Sequence, residues 1–235
     1  MAGNVINIFK KELRTYFTTP IAYIVIAIFL VLTGWFFFST FFLFGQTELR
    51  SFFTLLPIIF SFVIPAVTMR LFSEEFNIGS YEILVTLPVS LNEIVLGKFL
   101  AGTVFVAMML VPTLSYAICV GFLGQLDWGP VVGGYLGALL LGAAFTAVGL
   151  FASSLTKNQI IAFIIGMIVC FTLTMVDKVL FFLPESMLGF FQFLGADYHF
   201  QNTAKGILDS RDIIYFLSAT FIALYMASLR IQEKQ

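Results

Sequence analysis

The stretch RLFSEEFNIGSYEILVTLPVSLNEIVLGK, residues 70–98, sets Glu74, Glu75, Glu82 and Glu93 between two long apolar runs. Charge is scarce elsewhere. Only 11% of the 235 residues are charged and 60% are hydrophobic, and mean hydropathy is +1.02. A soluble domain carries about 25% charged residues. A chain this poor in charge must use lipid as part of its solvent, so an acidic interruption of this kind separates two membrane spans.

Working outward, a spanning helix needs about 20 predominantly apolar residues. The runs that qualify are 20–44, 52–69, 99–122, 131–155, 159–176 and 213–229. The expected fold is an all-α polytopic membrane protein, a single domain over 1–235 with both termini on one side. Placing the termini in the cytoplasm puts Lys10, Lys11, Arg14, Arg70, Lys98, Lys157, Arg230 and Lys234 inside. Arg50, Lys178, Lys205 and Arg211 then lie outside. Cytoplasmic loops are enriched in Lys and Arg, so this orientation is expected, with residues 70–98 inside.

Composition also excludes classes. The net charge of -1 gives nucleic acid no clustered cations to contact. Cys119 and Cys170 fall in apolar runs, as small buried hydrophobes do, and not in a ligand or disulfide pattern. No phosphate-binding loop, H-E-x-x-H or G-x-S-x-G sequence occurs, which argues against an intramembrane enzyme. No acidic or basic residue is expected deep in a span. Such residues mark proton and ion routes, so a secondary carrier is disfavoured too. The energy for any work must come from a partner.

Within the spans, Gly133 and Gly137 are four apart, as are Gly134, Ala138, Gly142 and Thr146. Small residues at that spacing let helices approach closely, either as an interface that slides between two states or as ordinary tight packing. Pro65 and Pro112 are expected to kink their helices.

At the start of the chain, Val5, Ile8, Phe9, Leu13 and Tyr16 recur at helical spacing among Lys10, Lys11 and Arg14. This predicts an amphipathic helix over 4–18, lying in the interface plane or simply anchoring the first span. The following apolar run is too long for a signal-peptide core and has no small-residue cleavage site, so the segment is expected to be retained. Near the other end, residues 181–205 begin apolar and turn polar, the pattern of a short re-entrant or interfacial hairpin on the outer side. His199 in that hairpin reads as a solvated or loop-packed side chain and not as a proton switch.

In the opening stretch, Phe76, Ile83 and Leu87 recur at helical spacing, with Ser80 or Leu84 on the same face. Glu75 and Glu82 are seven apart, on a shared polar side. One amphipathic helix over 73–88 is expected, ended by Pro88, with Asn92 as a cap leading into the next span. Its shape is that of a docking element.

Four segments carry a family resemblance: KKELRTYFTTPIAYI (10–24), residues 70–101, SSLTKNQIIA (153–162) and YHFQNTAKGILDSRDIIYFLS (198–218). Together they resemble permeases of the ABC-2 exporter class, type V exporter-like. More narrowly, they resemble the gliding-motility-associated ABC transporter permease of Bacteroidetes. The resemblance covers essentially the whole chain.

It implies a non-catalytic permease subunit in the inner membrane that couples ATP hydrolysis on a separate ATPase to export or to force transmission. ATP and Mg would sit on the partner, with no cofactor on this chain. Two cytoplasmic ATPase subunits and a second permease copy or related membrane subunit are implied, together with a membrane-anchored extracytoplasmic protein. By resemblance, Glu74, Glu75, Phe76, Gly79, Ser80, Glu82 and Leu84 belong to an ATPase-coupling helix. Leu87 and Pro88 match its end, and Gly97 and Lys98 the return into the membrane. Lys11, Glu12 and Arg14 fall on the family's elbow helix. A membrane scaffold or motility component that moves no solute is the alternative.

Overall fold

The computed structural model describes residues 2–44, 48–82, 88–124, 126–179, 189, 192–207 and 209–233. Among them there is no strand. The helices are α1 (Ala2–Thr18), α2 (Pro20–Phe44), α3 (Arg50–Thr68), α4 (Arg70–Ile78) and α5 (Leu91–Leu110). After a 3₁₀ turn at Val111–Thr113 come α6 (Leu114–Leu123), α7 (Trp128–Leu155), α8 (Gln159–Val179), α9 (Ala196–Ala204) and α10 (Ser210–Gln232). Among the described residues, six helical stretches are long and apolar enough to cross a membrane: α2, α3 with α4, α5 through α6, α7, α8 and α10. The chain is an all-helical polytopic membrane protein.

α7 is the axis of the bundle. Its apolar window is 72% buried, whereas those of α2, α8 and α10 are 22% buried and leave most of their surface to lipid. Burial of α7 requires small residues. A Cβ on Gly134 would lie 2.4 Å from the Phe53 ring of α3, and one on Gly142 2.7 Å from Val106 of α5. A Cβ on Gly137 would meet the Thr203 hydroxyl of α9 at 2.1 Å, and one on Gly133 the Thr203 carbonyl at 2.4 Å. Ala138 between them is fully buried. The small-residue face therefore divides among three neighbours, all within this chain.

Local chemistry sets the helix starts. α5 begins eight residues before the expected position 99. Its N-cap is Ser90 and not Asn92: the Ser90 hydroxyl accepts from the Glu93 amide, and the Glu93 carboxylate accepts from the Ser90 amide at 2.9 Å. This reciprocal capping box satisfies two amides that would otherwise lack partners. Asp127 caps α7 by accepting from Gly129 N, and Asp209 caps α10 by accepting from Arg211 N, each at 3.0 Å. Pro112 has no amide hydrogen to donate, and the expected third span tightens there into the 3₁₀ turn.

One further expectation needs correction. The single helix over 73–88 is interrupted: α4 stops at Ile78, Gly79 takes φ 78° in the left-handed region, and helix resumes at Ser80–Glu82. Glycine reaches that conformation without the Cβ clash other residues incur. Leu84 and Leu87 lie outside the described residues, as does most of the first half of the outer hairpin. Among the described residues buried charge does occur, toward the ends of spans and not deep within them. Since α5 starts at Leu91, Lys98 lies two turns inside it and is 1% exposed, and Asp212 is buried in the first turn of α10.

Candidate functional site

The segment after α3 is built as a junction. α3 passes into α4 through Met69, whose backbone stays helical at φ -53°, ψ -28°. The step is held from outside the helix. Ser153 of α7, fully buried, accepts from the amides of Phe72 (2.9 Å) and Ser73 (3.0 Å) and donates to the Met69 carbonyl (2.8 Å). The first amides of a helix lack partners within it, and one hydroxyl from another span supplies them here.

Lys98 forms the second fastening. Its ammonium lies 2.9 Å from Glu12 Oε1 on α1 and 2.9 Å from Glu75 Oε1 on α4, and donates to the Leu71 carbonyl at 2.7 Å. A lysine has three donors, and these three acceptors account for all of them. The Phe72 ring centroid is 5.1 Å from the same nitrogen. Burying an unpaired ammonium would cost several kcal/mol, and the two carboxylates make its burial tolerable. α1, α4 and α5 are thereby tied at one point. Lys11 adds a looser layer, 3.7 Å from Glu75 and 3.9 Å from Glu12.

The apolar side of α4 continues the junction inward. Phe72 stacks on Phe76 at 5.9 Å, and Tyr81 meets Phe76 edge-on at 4.9 Å. These rings pack with Ile8, Ile94, Leu150 and Ile231. The Tyr81 hydroxyl donates to the Ile231 carbonyl at the end of α10, so both ends of the chain meet the same cluster. Burial, and then the charge of Glu75, push the Tyr81 phenol above its ordinary range. Burial and then Glu12 do the same for Tyr16.

The sequence-assigned coupling residues thus fall into two groups. Glu75 and Phe76 face inward, Phe76 being 8% exposed, and Glu74 is bound to Arg70 of its own helix at 2.7 Å. Gly79, Glu82 and Pro88 are exposed and Ser80 is half-buried. Asn77 and Ile78, which periodicity did not single out, are exposed beside Gly79, Ile78 by 70%. On the elbow segment Glu12 turns toward Lys98, while Lys11 and Arg14 face outward. Ser153 was missed as a contact residue because nothing in a serine near a span end announces a partner 80 residues away.

The opposite end of the bundle is fastened by α9. His199 is 1% exposed, which removes the solvated reading. Its Nε2 lies 2.9 Å from the Phe193 carbonyl and its Nδ1 2.6 Å from Asp212 Oδ1. A carbonyl can only accept, so Nε2 is the donor to Phe193, which leaves Nδ1 facing the Asp212 carboxyl. The ring stacks on Tyr215 at 4.1 Å. Asp197 pairs with Lys178 of α8 at 3.0 Å and accepts from Gln201. Beside α9, a cavity of about 220 Å³ opens between the starts of α3 and α7, with Arg50, Asp127 and Lys205 over a floor of Phe53 and Val131.

The family model described as ABC-2 family transporter protein matches residues 6–218, which takes in both fastened ends and every helix except the start of α1 and the second half of α10, from residue 219 on. The chain belongs to this family. It is a membrane permease subunit of an ABC transporter, the component that works with ABC ATPase subunits. A comparison of the permease with curated proteins returns no match. Family membership gives the exposed edge of α4 its significance, because an ABC permease works with separate ATPase subunits.

Proposed function

We propose that the permease receives ATP-driven movement at Asn77, Ile78, Gly79 and Glu82 and passes it through the Lys98 junction to α1, α3 and α5. The observation that carries this reading is the division of α4. Its inner side is locked to three helices by Lys98, Phe72 and Ser153, while its tip projects Ile78, 70% exposed and uncovered by any of the described residues. A lever needs one end fixed to what it moves and the other free to be pushed.

The reading places both termini, and this junction, in the cytoplasm of a bacterial inner membrane, in line with the eight-to-four distribution of Lys and Arg. Two ATPase subunits, holding ATP and Mg, would press on two permease chains or on this chain and a related one. The resemblance to gliding-motility permeases supports force transmission to a membrane-anchored extracytoplasmic partner, and the broader class supports export.

The test is co-purification with the permease's partner ABC ATPase subunit. Ile78→Asp and Glu82→Lys should reduce ATPase association and coupled ATP hydrolysis at least about tenfold, with insertion and thermal stability retained. Unchanged association and hydrolysis in both variants would reject the assignment. Glu75 is unsuitable for this test, because its replacement strikes the junction itself.

A further inference from the structure

The rotation of α1 about its axis is fixed by two contacts, and a charged patch follows from it. Ile8 is buried against Gly97 of α5, where a Cβ would come within 2.7 Å of its side chain. One turn later Glu12 points to Lys98. The opposite side therefore exposes Lys10 and Arg14, with Lys11 on the flank between them and the junction, and these three with Thr15 and Thr18 line an open concavity of about 410 Å³. Lys10 and Arg14 have no ion pair among the described residues. Lys11 has only the long contacts to Glu75 and Glu12, on oxygens already held by Lys98. Both threonine hydroxyls donate to α1 carbonyls, those of Lys11 and Thr15, so the three cations dominate recognition.

The position of this patch selects its ligand. The apolar run of the first span starts at Pro20, two residues after Thr18. Ile21, Tyr23 and Ile24 are exposed immediately beyond it, and the Tyr23 hydroxyl donates back to the Phe17 carbonyl at 3.2 Å. Apolar side chains for the acyl region thus adjoin cations at headgroup depth, with a tyrosine at the boundary, where such rings concentrate. An acidic protein surface would match the cations but not the adjoining lipid-facing residues.

We propose that Lys10, Lys11 and Arg14 form a binding site for the phosphate of an anionic phospholipid at the mouth of the first span. A lipid seated there draws on Lys11, the one cation of the patch that also reaches Glu75. Occupancy is thereby felt at the Lys98 junction. The site itself depends only on the membrane location of the chain and stands independently of the ATPase-docking reading.

Binding is measured on the full-length permease in neutral detergent, by native mass spectrometry with short-chain phosphatidylglycerol as probe and phosphatidylcholine of the same chains as control. The wild type should retain phosphatidylglycerol over phosphatidylcholine. Lys10→Gln and Arg14→Gln should each weaken retention about fivefold, and the triple glutamine variant more, in keeping with a contribution of about 1 kcal/mol per basic residue near an anionic surface. Lys10→Arg should bind as the wild type does, and Lys157→Gln, at a remote loop, should have no effect. Equal retention by wild type and triple variant, no preference over phosphatidylcholine, or full displacement by equimolar inorganic phosphate would overturn the proposal. Loss of ATPase association in the triple variant with phosphatidylglycerol retention intact would also overturn it, assigning the patch to a protein partner.

Discussion

Lys98 and Glu75, 23 residues apart in the chain, meet at 2.9 Å beneath the surface, the lysine 1% exposed. The last residue of the acidic stretch thus neutralises one of its first. This contact makes the segment part of the bundle and not a cytoplasmic appendage.

Replacing Lys98 with Met removes the cation and leaves Glu12 and Glu75 facing each other. Breaking one partner of a buried ion pair costs about 3–5 kcal/mol, and a loss at the lower end is expected because both carboxylates keep some exposure. A lowered unfolding midpoint in detergent checks this. Adding Glu12→Gln and Glu75→Gln should restore much of the loss, since no buried charge then remains unpaired.

Ser153→Ala takes one hydroxyl from three backbone groups. Unsatisfied buried polar groups cost about 1–3 kcal/mol. The effect should appear locally, as amide hydrogen exchange at Phe72 and Ser73 at least about tenfold faster, with the middle of α7 unaffected. Unchanged exchange at both amides would mean that the step between α3 and α4 is held some other way.

Gly137→Ala and Gly79→Ala should both destabilise, for different reasons. At 137 the added carbon meets the Thr203 hydroxyl. Overpacking of this kind costs about 1–3 kcal/mol, and Thr203→Ala in the same chain should recover part of it. At 79 nothing lies within 4 Å of the added carbon, so only the left-handed backbone is strained, by about 1 kcal/mol. Gly79→Asn should be milder than Gly79→Ala, and Thr203→Ala should not rescue it. Thermal midpoints of the five variants separate the two mechanisms.

His199 and Asp212 should show strong coupling in a double-mutant cycle. With His199→Ala, Asp212→Ala and the double variant, the interaction should lie at about 1–3 kcal/mol, the upper part of the range for residues in one network. Additive losses would mean that their 2.6 Å contact contributes nothing beyond packing.

The spans were readable because a run of about 20 apolar residues has few stable alternatives to crossing lipid. The capping box was readable as well: Ser90 and Glu93 stand three apart at the head of an apolar run, a stronger signal than Asn92 alone. The Gly79 break had its local signal in a glycine closing the apolar end of α4. Lys98 was not readable in the same way. A lysine at the edge of a span ordinarily extends to the headgroups, and only the arrival of Glu12, Glu75 and the Leu71 carbonyl turns it inward.

Sequence alone determined that this protein lives in a membrane, how many times it can cross, and that residues 70–98 form the polar interruption. Those conclusions depend on composition and short-range periodicity, which every segment carries locally. Tertiary structure decided which side of α4 is locked and which is free, that the small-residue face of α7 serves three neighbours, and that His199 is buried. Each of these depends on side chains distant in sequence meeting at hydrogen-bond or van der Waals distance. A charge or a glycine cannot reveal its partner until the helices have packed.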